Sequence, residues 1–363
     1  MYLKEMMALL SVKGIGMQTL KKLIDFYGDM AVLSKAIEEN KVFSQTRVKG
    51  TDNIKEIFDA FDYQSYDLCL KKENVSCISY LDENYPKMLK NIDTFPLMLH
   101  YKGAIHKLNQ MSPGVAVVGS RKISAYGQQV AYDIGRYLGA YELPVISGLA
   151  YGVDYEVHRG LVKGGGFPVA VVANGLDRIY PSSHSKLAGH IEKTGVLITE
   201  EFLYSGIEAY KFPIRNRIIS GLADVIVVVE AEEKSGSLIT AQHGLDQGKT
   251  VFAVPGSIYS STSKGTNKLI ADGAIPLLDF KQLIDEYDSL KEKSEPDTKI
   301  LDDPNRDLIE QKIINCLSGG NTLSIDELAF MSKEDHTKIL MAGMKLEIQG
   351  VIRSVKGNKY QLL

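Results

Sequence analysis

Short apolar runs dominate the middle of the chain: VAVVG at 115–119, PVIS at 144–147, PVAVVA at 168–173, VLIT at 196–199, DVIVVV at 224–229 and TVFAV at 250–254. They are continuous rather than alternating, the pattern of strands covered on both faces. Most are separated by stretches long enough for a helix, such as SAYGQQVAYDIGRYLGAY at 124–141. Strands alternating with helices predict βαβ units, right-handed crossovers and a mainly parallel sheet. The expected fold class is therefore α/β, an extended Rossmann-like, doubly wound core over residues 66–280. Within it, residues 66–110 read as a connecting segment of short strands and turns, where Pro86 and Pro96 interrupt helix and no chemistry is evident.

The flanks have other periods. Residues 1–65 read as a small helical domain. Val12–Gly16 gives hydrophobic-x-Gly-hydrophobic-Gly, followed by Leu20, Leu23 and Ile24 at helical spacing. This is the turn of a helix-hairpin-helix (SAM-like) unit, which either contacts a DNA phosphate or simply joins two helices. Residues 281–305 are charge-rich and read as a linker. Residues 306–363 predict a winged helix: three helices, the second starting at Ser324, then a hairpin VIRSV–KGN–KYQLL. Its candidate recognition helix, Thr337–Gln349, carries only Lys338 and Lys345 as cations, which favours protein contact or weak DNA contact over base readout.

Composition narrows the classes. At 363 residues, 44% hydrophobic and 24% charged, the chain has enough apolar material for a sizeable core. A net charge of −3 argues against a protein basic all over. Acidic and basic residues also balance over 105–280, so any positive potential there is a local groove. Cys69, Cys77 and Cys316 form no CxxC or Cys/His metal spacing, which points to a reducing compartment and no structural zinc. The N-terminus lacks a signal-peptide pattern and no run reaches membrane-span length, so a cytoplasmic location is expected.

In doubly wound sheets, ligands sit beyond the carboxyl ends of the strands. Those ends carry Gly119-Ser120-Arg121-Lys122, Ser147-Gly148-Leu149-Ala150-Tyr151, Asn174-Gly175-Leu176-Asp177, Glu200-Glu201, Glu230 with Ser235-Gly236-Ser237, and Pro255-Gly256-Ser257. A helix is expected to begin near Pro213, with Ile214, Ile218 and Leu222 as its apolar stripe. Arg215 and Arg217 would then sit in the first turn, where the macrodipole is already positive and an anion is the natural companion. Glycines, hydroxyls and the cations Arg121, Lys122, Lys211, Arg215 and Arg217 together predict a phosphate-binding rim.

The turn GSRKISAYG is not GxGxxG and no GxxxxGK[ST] occurs, which disfavours NAD and Walker-type nucleotide sites. An elongated basic rim with Tyr151, Tyr210 and Phe212 suits a single nucleic-acid strand, its backbone on cations and its bases on rings. A rival reading is catalytic, with Asp154 and His158 at i,i+4 as an acid/base pair. The competing structural account places Asp154 at a helix N-terminus and packs His158 beside it.

The motifs VVGSR (117–121), SGLAYGVD (147–154) with His158, NGLDRIYP (174–181), FPIRNRIISGLAD (212–224), EKSGSLITA (233–241) and VFAVPGS (251–257) occur in one order. In this the chain resembles the DprA/Smf family. The resemblance implies a core that binds single-stranded DNA, dimerises, interacts with RecA recombinase and loads it during natural transformation. It implies no catalytic turnover and no cofactor. Carried over by position, the DNA-binding residues are Gly119, Ser120, Arg121, Ser147, Gly148, Ala150, Lys211, Phe212, Arg215, Asn216, Arg217 and Ser237. Two departures stand out. Ser182-Ser183-His184 follows the YP pair where relatives carry a charged residue and then Asn, which weakens one expected edge of the groove. Tyr151 occupies a position that varies among relatives. The alternative is a nucleotide-processing enzyme of the phosphoribohydrolase type, although Pro255-Gly256-Ser257 stops short of its PGGxGTxxE signature.

Overall fold

A computed structural model describes residues 2–12, 14–39, 42, 54–111, 114–294, 306–317, 321–349, 351–355 and 359–362. They form two units, Met1–Ile284 and Asp285–Leu363.

The first unit is built on a nine-stranded sheet. Its strands are β1 (Ser76–Ser79), β2 (Met98–Gly103), β3 (Val115–Val118), β4 (Pro144–Ser147), β5 (Phe167–Val171), β6 (Val196–Thr199), β7 (Val225–Val228), β8 (Thr250–Ala253) and β9 (Ile275–Pro276), in the order β1-β2-β6-β5-β4-β3-β7-β8-β9. From β6 to β9 all pairings are parallel, and β2 runs antiparallel to β6 and to β1. The predicted runs thus become strands where expected. The segment 66–110 does more than connect, since β1 and β2 extend the sheet. The central strands are Val- and Ile-rich because helices cover both faces, and β3, β4, β5, β6 and β7 are buried along their whole length.

The helices, by residue range, are α1 (Leu3–Leu10), α2 (Met17–Tyr27), α3 (Met30–Glu38), α4 (Ile54–Ala60), α5 (Tyr63–Lys72), α6 (Ala125–Gly139), α7 (Val153–Gly164), α8 (Ser185–Thr194), α9 (Lys211–Gly221), α10 (Gly236–Asp246) and α11 (Lys264–Ala271). One crossing fixes the site. Helices α6 and α7 approach so closely that a Cβ on Gly135 would overlap the Val157 carbonyl, and one on Gly160 the Tyr132 carbonyl. Each helix begins directly after a rim loop, so this glycine-lined crossing sets the GSR loop against the SGLA loop.

At the amino end, α1 and α2 flank the Val12–Gly16 turn. Gly14 has φ 96°, a conformation open to glycine without strain; Lys13 of that motif lies outside the described residues. Leu9, Leu20, Leu23, Leu33 and Ile37 share one core, while Met7 of α1 packs in a cluster with Leu149, Val172 and Leu176 of the sheet layer.

The stretch expected as linker opens with helix α12 (Lys281–Ser294), and residues 295–305 lie outside the described residues. In the second unit α13 (Leu308–Leu317), α14 (Ile325–Ser332) and α15 (His336–Ile348) surround Ile313, Leu317, Leu328, Ile339 and Leu346. Ser324 caps α14 in a capping box with Glu327. The two-stranded wing gains a third member: β10 (Thr322–Ser324) pairs with β12 (Lys359–Leu362), which pairs with β11 (Ile352–Val355). The KGN turn at 356–358 is outside the described residues. Lys345 is engaged with Glu310 at 2.6 Å, which leaves Lys338 as the freer cation of the two on the candidate recognition helix.

Candidate functional site

The chain winds from β3 to β6 on one side and from β7 to β9 on the other, so the topological switch lies between β3 and β7. That crevice is filled from within. Ser120 N–H donates to the Glu230 carbonyl at 2.7 Å. The Glu230 carboxylate accepts from Ser124 N at 2.9 Å, Ser124 Oγ at 2.5 Å and Thr262 Oγ1 at 3.0 Å. Glu230 therefore occupies the N-terminus of α6, where an incoming anion would otherwise bind. Gly119 is needed there because a Cβ would overlap Val153 and crowd the Glu230 carbonyl.

A narrow pocket lies to one side, over the ends of β4 and β5. Gly148, Ala150, Val172, Ala173, Asn174, Pro181 and Arg215 line it, with the more exposed Arg121, Tyr151, Tyr180 and Phe212 at its mouth. The exposed Arg121 guanidinium lies over the Phe212 ring, 4.5 Å from its centroid. Tyr180 is 6.2 Å from Phe212. Tyr151 is 51% and Tyr180 40% exposed to solvent. A cation braced on a ring, with further rings around it, can meet a phosphate and stack a base together.

The SGLA loop is held rigidly. Asp154 accepts from the amides of Gly148 at 3.1 Å and Ala150 at 3.2 Å, so a carboxylate already fills the place a phosphate would need at those N–H groups. Ser147 is fully buried and donates to the Val117 carbonyl at 2.7 Å. Leu149 takes φ 55°, and His184 Nδ1 lies 2.9 Å from its carbonyl. The Ser182-Ser183-His184 departure thus supports the loop, with the His184 ring packed between Tyr151 and Tyr155.

Helix α9 differs from its sequence reading. It starts at Lys211, so Pro213 is its third residue and Arg215 and Arg217 lie beyond its first four positions. Ile214 is exposed, and the buried stripe consists of Ile218, Ile219 and Leu222. The cations do not converge on one open surface. Lys211 is buried and bonded to Glu201 at 2.9 Å, Ser205 Oγ at 2.7 Å and the Gly206 carbonyl at 3.1 Å. Arg217 pairs with Glu200 at 2.5 Å. Burial raises the Glu200 carboxyl despite that pairing. Arg215 donates to the carbonyls of Gly148, at 2.9 Å, and Val171. Burial pulls its guanidinium down to about 10, against the opposing charge of Asp154. Asp154 itself is raised by burial, with Arg215 countering.

Asn216 reaches the Gly236 carbonyl at 3.3 Å, and Ser237 Oγ lies 2.7 Å from Ser235 Oγ. Of the positions carried over by resemblance, Arg121, Gly148, Ala150, Phe212 and Arg215 surround one pocket. Ser120, Ser147, Lys211, Asn216 and Ser237 brace the loops around it, while Arg217 pairs with Glu200 and does not line the pocket. Asn174, Tyr180 and Pro181, in the NGLDRIYP motif, line the pocket without having been singled out; a polar residue just after a strand end was the available signal. Asp154 and His158 are not partners. His158 is buried with neither ring nitrogen hydrogen-bonded among the described residues, and burial drives it down to about 3.

A model of the family described as DNA recombination-mediator protein A matches residues 76–288. The chain belongs to this DprA/Smf family. DNA processing protein DprA of Bacillus subtilis is 36% identical over 216 residues, 60% of this chain and 72% of its own length. Protein Smf of Escherichia coli is 39% identical over 220 residues, 60% of this chain and 58% of its own. Among solved structures, DprA of Streptococcus pneumoniae superposes with a TM-score of 0.69 at 31% identity, covering 78% of this chain and 98% of that one. DNA processing protein A of Helicobacter pylori, described for its single-stranded DNA binding mode, gives a TM-score of 0.54 at 27% identity over 60% of this chain and 96% of that one. The family match spans the sheet and every loop of the pocket. No described helix is long and apolar enough to cross a membrane.

Proposed function

We propose that the chain binds single-stranded DNA at the strand-end pocket and acts as a recombination mediator that delivers the strand to a RecA-type recombinase. The observation that carries the reading is Arg121, exposed and stacked on Phe212 at the mouth of a pocket flanked by Tyr151 and Tyr180. A phosphate meets the guanidinium while a neighbouring base stacks on the rings, an arrangement tolerant of sequence. Gly148 makes room for the Arg215 guanidinium, and Asp154, Arg215 and His184 hold the loop in place. The family resemblance supports the wider role: dimerisation through the sheet unit, RecA loading, protection of incoming strands and a cytoplasmic location.

The reading is one of binding rather than turnover. The Asp154 carboxylate is spent on loop amides and His158 is fully buried, so this pair offers no exposed acid and base. Titration of the purified chain against fluorescent oligo-dT at several salt concentrations tests the proposal. Affinity is expected to fall steeply with salt and to weaken about tenfold or more in Arg121→Ala. Equal affinity in a folded Arg121→Ala protein removes the pocket from the binding site. Release of free base from nucleoside monophosphates would favour the enzymatic alternative.

A further inference from the structure

Three of the rim's expected cations, Lys211, Arg217 and Arg215, are consumed internally, which leaves Arg121 and Lys122 exposed there, and a further set of exposed cations lies elsewhere on this unit. Lys186, His190 and Lys193 follow one another along the exposed face of α8, and Arg159 and Lys163 stand on the neighbouring exposed face of α7. Two shallow concavities lie there, one over α8 and one between α7 and α8, and they meet at His190. Lys163, Lys186 and Lys193 have no acidic partner among the described residues. Arg159 is 2.7 Å from Glu156 and lies 4.7 Å above the Tyr132 ring. The one carboxylate lining the α8 concavity, Glu192, is engaged by Asn74 at 2.9 Å.

Helix α8 begins beside His184, whose ring holds the Leu149 carbonyl of the pocket's own loop. It runs back toward the start of β6, a length of about 15 Å. The cations therefore form a track leading from the pocket mouth down the outside of the sheet unit. We propose that this α7–α8 face is a second nucleic-acid contact, a backbone-tracking groove for the part of a single strand that extends beyond the pocket. The inference rests on the single-strand reading of the pocket.

The chemistry favours a nucleic acid over an acidic protein. Protein interfaces are organised around buried aromatic and apolar anchors. Neither Val153–Gly164 nor Ser185–Thr194 carries an exposed large hydrophobic residue, although many occur elsewhere on the chain. A polar, cationic face lacking such anchors fits a phosphate backbone, where released counterions supply the affinity.

The test is a length-dependent titration of the full chain with oligo-dT of about 6 and about 25 nucleotides, spanning the range of site sizes for single-strand binders. In the triple variant Lys163→Ala/Lys186→Ala/Lys193→Ala, affinity for the long oligomer is expected to fall about tenfold and its salt slope by roughly 2, at about 0.7 per lost phosphate contact. Affinity for the short oligomer stays unchanged, which also shows that the pocket remains folded. The Lys→Arg triple variant is expected to keep long-oligomer binding. Unchanged long-oligomer affinity and slope in the Ala variant overturn the groove while leaving the pocket reading intact. Equal losses on both lengths also overturn it. A wild-type chain that binds neither oligomer removes the pocket reading and the groove with it. Intact DNA binding with selective loss of recombinase binding reassigns the face to an acidic protein.

Discussion

Arg215 reaches from α9 to donate to the Gly148 carbonyl at 2.9 Å, so a helix side chain sets the position of the loop beneath the pocket. The same guanidinium serves Val171, the last residue of β5, and a Cβ on Gly148 would overlap it. Nη1 donates to both carbonyls while Nε donates to Asn216 Oδ1 at 3.2 Å, three bonds held in one rigid plane that a lysine ammonium does not reproduce. Arg215→Lys is accordingly expected to lower the melting temperature and to weaken oligo-dT binding together, whereas Arg121→Ala weakens binding at an unchanged melting temperature. Thermal denaturation beside anisotropy titration separates the two. An Arg215→Lys protein of full stability with lost affinity would instead make Arg215 a direct DNA ligand.

Arg217 belongs to another part of the fold. Its pair with Glu200 is largely buried, and removing one partner leaves the other charge without compensation. Arg217→Ala is expected to cost about 3–5 kcal/mol of stability. Oligo-dT affinity per folded molecule should stay near that of the wild type. Urea denaturation measures the first quantity, and titration well below the unfolding transition the second. A fully stable variant with weakened binding contradicts this assignment.

The strands were legible because each is a short apolar run bounded by turn residues, and the pocket loops were legible because glycines and hydroxyls cluster at strand ends. The roles of the cations were not. A sequence shows Lys211, Arg215 and Arg217 as three positive charges near a rim. It does not show Glu201, Glu200 and the Gly148 carbonyl, contributed by distant segments, that consume them. The start of α9 was misplaced for a local reason: Pro213 suits the first turn generally, and the chain enters the helix two residues earlier at Lys211. β1 and β2 were obscured because the partner of β2, β6, lies about a hundred residues away, and β1 joins the sheet only through β2.

The crossing of α6 and α7 has its own consequence. A methyl group at Gly160 would overlap the Tyr132 carbonyl, and backbone on both sides cannot yield without moving a helix. Gly160→Ala is expected to destabilise the chain by about 1–3 kcal/mol, the usual cost of overpacking. Because each helix leads out of a pocket loop, the variant should also lose DNA affinity at temperatures where it remains folded. A chemical-denaturation midpoint equal to wild type contradicts so tight a contact.

Two buried histidines make the sheet unit sensitive to acid. His100 is held down to about 4 and His158 to about 3, both by burial away from water. Each ring is neutral in the folded chain and ordinary, near 6.5, in the unfolded one. Above pH 6.5 neither state binds the proton, so stability is independent of these groups. As pH falls below 6.5 the unfolded chain takes up protons that the folded chain refuses. Stability then drops by about 1.4 kcal/mol per pH unit for each ring, until the folded-state value is reached. His100 differs in having a partner, since its Nε2 lies 2.9 Å from the Tyr66 hydroxyl. His158 has no polar partner among the described residues, so His158→Leu removes a titrating group without stranding a donor. Denaturation midpoints between pH 7 and pH 5 are expected to fall less steeply in His158→Leu than in the wild type. Identical slopes would show that His158 takes up its proton equally in both states.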